Sequence, residues 1–293
     1  MIHRERHQLT CGPYTLRFGE RTHIMGVLNI TPDSFSGDGI MAMAGSRVVD
    51  DQVVELAVAR AHQMVEDGAD ILDVGGESTR PGSEPVPMEE ELRRVLPVVG
   101  RLARDLNVPV SVDTYKAEVA REAIEAGAHM VNDISALRFS SEMAVVVARA
   151  GVPVVLMHTH GTIKGWDHAR TNTDVMPAIL AFFRERLTAA AEGGIQEEKI
   201  IIDPGFGFGK TLDQNLDILR RLGEMRALGR PILIGTSRKA TIGKVLSLPV
   251  DDLVEGTAAT VALAIARGAD IIRVHDVKAM VRVARMADAI VRG

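Results

Sequence analysis

The sequence predicts an α/β fold, a (β/α)8 TIM barrel with a short N-terminal β-hairpin, and three observations carry that prediction. Apolar runs alternate with segments of helical spacing along all 293 residues. The runs stop at Asp, Asn, His, Lys or Arg in GVLNITPDSFSGDG (26–39), ADILDVGGESTRPG (69–82), VPVSVDT (108–114), HMVNDIS (129–135), VPVVLMHTHG (152–161), IIIDPGFGFGK (200–210), ILIGTSRKA (232–240) and DIIRVHDV (270–277). Strands that are apolar on both faces and alternate with helices belong to a parallel sheet covered on both sides. Eight units without a break favour closure into a barrel over an open doubly wound sheet. In a barrel all eight endings converge on one rim, where their polar residues form a single site.

The elements follow in order. Residues 8–22 precede the first unit and hold two turn signals, which predicts a hairpin covering the barrel's N-terminal end. The organisation is then an extension over 1–22 and one barrel domain over 23–293. Strands are expected to end near 29, 74, 113, 132, 157, 203, 234 and 274. Helical spacing covers 50–70, where Val53, Val54, Ala57, Ala61, Met64 and Val65 share a face. The helix over 88–107 has acids at its start and bases toward its end, as its dipole favours. Further helices are expected over 116–129, 141–151, 175–194, 211–229, 254–270 and 277–293. Gly-Ala or Gly-Val at 68–69, 127–128, 151–152 and 268–269 reads as a C-cap glycine leading straight into a buried strand. The segments 30–46, 75–87 and 159–174 read as rim loops.

Composition sets further bounds. Hydrophobic residues make up 46% of the chain and aromatics 3%, so the core is mainly aliphatic. A net charge of -5 without a basic block argues against nucleic acid or an anionic membrane as partner. One cysteine, Cys11, excludes an internal disulfide and fits a reducing compartment. No apolar run reaches membrane-spanning length, and MIHRERHQLT lacks a signal core, so a cytoplasmic location is expected.

Asp113, Asn132 and Asp203 each stand at a strand end. One such residue commonly closes a turn or caps a helix. Three at equivalent positions of one barrel point instead to a pocket. Two carboxylates and a carboxamide suit a flat heterocycle with several N–H donors, such as an aminopyrimidine or a pterin, at roughly 1.5–3 kcal/mol per charge-assisted bond. Lys239 in GTSRKA and Arg273 with His275 in RVHD follow the last two strands, where barrels bind phosphate. Arg273 can fork two phosphate oxygens or stack on a ring, and if buried it requires a partner. DPGFGFGK lacks the spacing of a P-loop; its glycines are expected to let backbone approach a ligand, with Phe206 or Phe208 as a wall. His158, His160 and His168 match no common zinc spacing, and His158 is expected to pack beside the pocket.

GVLNITPDSFSGDG, ILDVGGESTRPG, SVDTYKAEVA, VNDIS, IIDPGFGFGK, GTSRKATIG, GTAATVALAIARGA and RVHDV, in this order, resemble the dihydropteroate synthase family over about residues 20–285. The resemblance implies a transferase of folate biosynthesis that condenses 6-hydroxymethyl-7,8-dihydropterin diphosphate with 4-aminobenzoate, with Asp113, Lys239 and Arg273 as catalytic candidates. It implies that Asp113, Asn132, Met157, Asp203, Lys239 and Arg273 hold the pterin, and that Asn29, Arg273 and His275 hold the diphosphate. It implies Mg2+ as cofactor with Asn29 as its protein contact, and an aminobenzoate site from Thr79, Arg80, Pro81 and Phe35 with Phe208 and Ser237. It also implies a homodimer built through the late helices. The sequence departs from the family pattern at MHTHG, through Thr159 and His160, and at Ala240. Two other readings share the pocket. A corrinoid-linked pterin methyltransferase has no need of the NITPDSFS and SRK segments. A non-catalytic pterin-binding paralogue draws its support from the altered 157–168 segment.

Overall fold

A computed structural model of the protein describes residues 7–32, 39–46, 48–78, 83–159 and 174–292. Eight parallel strands form the barrel: β3 (His23–Asn29), β4 (Ile71–Gly75), β5 (Val110–Asp113), β6 (Met130–Asp133), β7 (Val154–Met157), β8 (Ile200–Asp203), β9 (Leu233–Ile234) and β10 (Ile271–Val274). They pair in the order β8-β7-β6-β5-β4-β3-β10-β9. A parallel bridge from Ile202 to Ile232 joins the two ends and closes the barrel.

The N-terminal hairpin is the expected plug. β1 (Gln8–Cys11) and β2 (Tyr14–Arg17) pair antiparallel around a turn in which Gly12 has φ 57°. Leu9, Cys11, Leu16 and Phe18 pack against Met25, Ile71, Met130, Val155, Ile201, Leu233 and Ile271, the lowest inward side chains of the strands. Side chains alternate faces along a strand, so the next inward positions lie two residues on. There the sequence turns polar: Asp73 above Ile71, Asn132 above Met130, Asp203 above Ile201 and Arg273 above Ile271. The outward faces join the helices in one large aliphatic core.

A repeated device ties the lower ends of neighbouring strands together. Gly68, Gly127 and Gly268 sit at φ 105°, 114° and 106°, a conformation that suits glycine, and each is followed by Ala and a polar residue. The side chain of that residue accepts a backbone N–H at or beside the start of a neighbouring strand. Asp70 takes the Ile24 N–H at 2.8 Å, His129 Nδ1 takes that of Val110 at 3.2 Å, and Asp270 takes that of Ile232 at 2.9 Å.

Most helices match expectation. α2 (Asp51–Glu66) is capped by the Asp50 carboxylate, which accepts from the Val53 N–H. α3 (Met88–Asp105) carries Glu89–Glu91 in its first turn and Arg104 in its last. α4 (Ala117–Glu125), α5 (Met143–Ala150), α6 (Val175–Glu192) and α10 (Val277–Arg292) follow their strands as expected. Three points differ. The segment read as a loop over 30–46 contains a short helix, α1 (Ile40–Met43), held because Ile40 and Met41 are buried. The single helix expected over 211–229 is α7 (Leu212–Arg221), opened by a Thr211/Gln214 capping box, followed by a 3-10 stretch Leu222–Leu228. Two helices rather than one follow β9: α8 (Ala240–Leu246), starting directly after Lys239, and α9 (Val254–Ala266).

Candidate active site

The centre of the rim is a buried charge network. The Arg273 Nε donates to Asp73 Oδ2 at 2.6 Å and its Nη2 donates to Asp113 Oδ2 at 2.8 Å. Asn132 Nδ2 donates to the same Asp73 oxygen at 2.9 Å. Asp73 has no solvent exposure, while the side chains of Asp113 and Arg273 keep 11% and 22% of theirs. Two carboxylates thus share one guanidinium. Burial pushes the Asp113 carboxyl up to about 7; Arg273 opposes that rise and Asp73 adds to it. Burial also works against the Arg273 charge, but the two carboxylates outweigh it and hold the guanidinium firmly protonated.

A second charged group lies on the β8 and β9 side. Burial raises the Asp203 carboxyl against the pull of Lys239 and of the Gly205 N–H, which donates to Asp203 Oδ1 at 2.7 Å. Burial lowers Lys239 to about 7 against the attraction of Asp203. Its ammonium donates to the Phe206 carbonyl and lies 4.3 Å from the centre of the Phe208 ring. Phe208, Met157, Ile134 and Tyr115 form a small apolar cluster beside these charges, a wall for a flat ring. Phe206 is not part of that wall, as one expectation had it. Its side chain has no exposure and belongs to the aliphatic core, and only its carbonyl reaches the site.

Lys210 shapes this loop. Buried at the end of GFGFGK's run, it donates to the carbonyls of Gly205, His158 and Phe208 at 2.8, 3.1 and 3.1 Å. A lysine spent on three carbonyls staples the loop and is turned away from any anion. Gly205, at φ 66°, passes so close to His158 that a Cβ would meet its carbonyl oxygen at 1.9 Å, so the glycine is required there. The ring of His158 packs edge-on against Phe182 at 4.8 Å, in keeping with a packing role. Among the described residues no cluster of His, Cys, Asp and Glu could hold a metal; His160 and His168 lie outside them.

The anion side is built by β3, β9 and β10. Ser237 Oγ accepts the His275 backbone N–H at 3.2 Å and lies 3.0 Å from the ring Nδ1, which fixes the imidazole. Arg238, at φ 54°, forks onto Asp276 with bonds at 2.5 and 2.9 Å, tying the loop that carries Ser237 and Lys239 to the loop that carries His275. Asn29 ends β3 beside Gly75, and a Cβ on Gly75 would lie 3.7 Å from Asn29 Oδ1 and 3.5 Å from the Asp113 Cβ. Asn29, Asp113 and Arg273 thus share one quarter of the rim. The Nε/Nη2 edge of Arg273, expected to fork phosphate oxygens, is taken by carboxylates, which leaves Nη1 for an anion.

The structure therefore gathers Asn29, Asp113, Asn132, Met157, Asp203, Phe208, Ser237, Lys239, Arg273 and His275 at one end of the barrel. Phe35, Thr79, Arg80 and Pro81 lie outside the described residues. Sequence reasoning missed Asp73, which stands mid-strand rather than at a strand end. It also missed a buried set under the β4 loop, in which Lys116 bridges Glu77 and Glu91 and the Tyr115 hydroxyl donates to Glu77 at 2.9 Å. The available signal was an acid inside an apolar run, in ILDVGGE.

Residues 25–275 match the family described as pterin binding enzyme. The chain is 46% identical over 277 residues to the dihydropteroate synthase of Bacillus subtilis strain 168, which covers 94% of this chain and 91% of that protein. A solved structure of the Clostridium difficile dihydropteroate synthase in the presence of pteroic acid superposes with a TM-score of 0.85 at 47% identity, covering 94% of this chain and 99% of that one. The Yersinia pestis dihydropteroate synthase in complex with a sulfonamide drug superposes with a TM-score of 0.88 at 40% identity, covering 97% and 98%.

Proposed function

The chain belongs to the pterin-binding enzyme family and, within it, to the dihydropteroate synthases, transferases that condense 6-hydroxymethyl-7,8-dihydropterin diphosphate with 4-aminobenzoate, and we propose how its rim carries out that step. The observation that carries the reading is the split of the rim into two unlike halves. Asp113, Asn132 and Asp203 offer acceptors to the N–H edge of a pterin, with Met157 and Phe208 as apolar walls. Arg273 Nη1, His275 and Asn29 face the place where the diphosphate would lie.

The C–O bond to diphosphate breaks first and its electron pair leaves with the diphosphate. The dihydropterin left behind is a cation delocalised over the ring, and the buried carboxylates of Asp113 and Asp203 stabilise it through the ring N–H groups. The 4-aminobenzoate nitrogen then attacks the exocyclic carbon and loses a proton. The reaction is SN1-like, with no covalent bond to the protein. Lys239 balances Asp203 and holds the Phe206–Phe208 loop against the pterin. Phe208 and Ser237, together with Thr79, Arg80, Pro81 and Phe35, are the residues proposed for aminobenzoate binding. A sulfonamide would compete there, as a drug of that class binds the Yersinia pestis relative.

Magnesium is the proposed cofactor. One amide oxygen, that of Asn29, beside Asp113 is a sparse but fitting hard-oxygen donor set, because Mg2+ keeps several waters and takes most of its ligands from substrate phosphates. When bound, it would neutralise charge on the departing diphosphate. A homodimer through α9 and α10 is supported by exposed Leu263, Met286 and Ile290 on these two contacting helices. No described helix is long and apolar enough to cross a membrane, and a cytoplasmic location is part of the proposal. Within the altered MHTHG segment Thr159 is buried and its hydroxyl accepts from Arg138 at 2.6 Å, while His160 lies outside the described residues.

The test is release of diphosphate from the dihydropterin substrate. Release that requires both 4-aminobenzoate and Mg2+, with dihydropteroate formed in equal amount, is expected. No product with authentic substrates would point to the non-catalytic paralogue instead.

A further inference from the structure

Asp73 is buried below the ligand-facing residues, and a single oxygen of its carboxylate carries both of its bonds. Oδ2 accepts from Asn132 at 2.9 Å and from Arg273 at 2.6 Å, while Oδ1, also buried, has no partner among the described residues. A carboxylate paired to a guanidinium only accepts hydrogen bonds. The end of the Asn132 amide that meets it must therefore be Nδ2, because a flipped amide would set oxygen against oxygen at the same distance. The other end, Oδ1, accepts no hydrogen bond among the described residues.

We propose that Asp73 is a positioning residue: by holding the Asn132 amide through Nδ2 it commits Oδ1 to the ligand, so that the pocket shows the pterin acceptors from Asp113, Asn132 and Asp203 alike. Without Asp73, Asn132 could present either end, and half its orientations would set a donor against the donor edge of the ring. Arg273, anchored to the same oxygen, is thereby kept in fixed register with Asn132 across the barrel. This inference rests on the pterin pocket proposed above and adds to it the residue that sets the pocket's hydrogen-bonding sense.

The experiment measures the affinity of the protein for 6-hydroxymethylpterin by calorimetry in the wild type, Asp73→Leu, Asn132→Ala and the double variant. Leu keeps the branch of Asp at Cγ and brings no acceptor. A loss of about tenfold or more is expected for Asp73→Leu in the wild-type background, the worth of one charge-assisted bond. The same change in the Asn132→Ala background is expected to lose less than about threefold, because the residue through which Asp73 acts is gone. Equal losses in both backgrounds would overturn the proposal and show that Asp73 acts through Arg273 or through packing and not through Asn132. If Asn132→Ala itself leaves pterin affinity unchanged, the pocket reading fails rather than this one. If Asp73→Leu does not fold, NMR of the wild-type Asn132 side-chain amide decides. Its protons, identified by their loss in Asn132→Ala, should stay slow to exchange with and without pterin, and fast exchange would sink the idea.

Discussion

The two ends of the barrel treat buried polar groups in opposite ways. At the lower end the hairpin fills the opening with Leu9, Leu16 and Phe18, and the carboxylate there, Asp70, is well partnered. Asp70 meets two Arg21 nitrogens at 2.8 and 2.5 Å and the Ile24 N–H at 2.8 Å. At the upper end Asp73 and Asp113 divide one guanidinium, and burial displaces Asp113, Asp203 and Lys239 all toward their neutral forms. The lower end stores stability. The rim holds charges that the protein alone leaves under-compensated and that a ligand with donors and an anionic tail would complete. Preorganised polar groups of this kind are a recognised source of the trade between stability and activity.

The largest expected effect breaks the lower end alone. Phe18 is 1% exposed and stands edge-on to His23 at 5.3 Å, in the layer that seals the barrel. Phe18→Ala should destabilise the fold by about 3–5 kcal/mol, as buried Phe truncations do. Urea denaturation would read this, and kcat/KM at 25 °C should stay within about twofold of wild type, since each 1.4 kcal/mol on the barrier would be tenfold. A fall in kcat/KM as steep as the fall in stability would show that the ends are one cooperative unit and not two.

The next effect sharpens the contrast at the rim. Asp113 is raised to about 7, so the folded protein binds that proton more tightly than the unfolded chain does. For a raised carboxyl the sign is that stability increases as pH falls from above 7 toward the unfolded value of about 4. Asp113→Asn carries no such titration. It should be more stable than wild type at pH 8 by about 2 kcal/mol, less than the full shift implies because Arg273 loses a charged partner. The gap should shrink steadily between pH 8 and pH 5, while pterin affinity drops at every pH. A gap that does not change with pH would mean that Asp113 is not held near neutrality.

These contrasts also explain what could be read from the sequence. The strand-end residues were legible because a charge directly after an apolar strand has no role inside a parallel sheet. The C-cap glycines at 68, 127, 151 and 268 were legible because each glycine adopts positive φ and hands the chain straight to the next strand. Asp73 was hidden for the same reason in reverse, since it sits within the strand and declares itself only once Arg273, 200 residues away, is placed beside it. The stapling role of Lys210 was hidden as well, because no spacing rule says that three carbonyls surround it. α1 was missed because four residues give no helical period, and only the burial of Ile40 and Met41 fixes it.

The smallest effect tests the lower end with a carboxylate, so that the two ends differ in sign alone. Burial by itself would raise Asp70, but the His23 ring, the Arg21 fork and the Ile24 N–H together outweigh it and hold the carboxyl well below the usual range. A depressed carboxyl contributes stability above the unfolded value of about 4, and that contribution is lost as pH falls through the folded one. Arg21 is 55% exposed, so solvent screens much of the pair. Asp70→Asn should therefore be less stable than wild type by only about 1 kcal/mol at pH 7, most of it from the weakened bond to the Ile24 N–H. The deficit should narrow as pH drops below about 4, whereas the gain of Asp113→Asn should already have narrowed above that point. Measured together by thermal unfolding across pH 3–8, the two variants should bracket the wild type at pH 7 and converge on it from opposite sides. If both fall on the same side, the ends of the barrel do not differ in the way their charges are held.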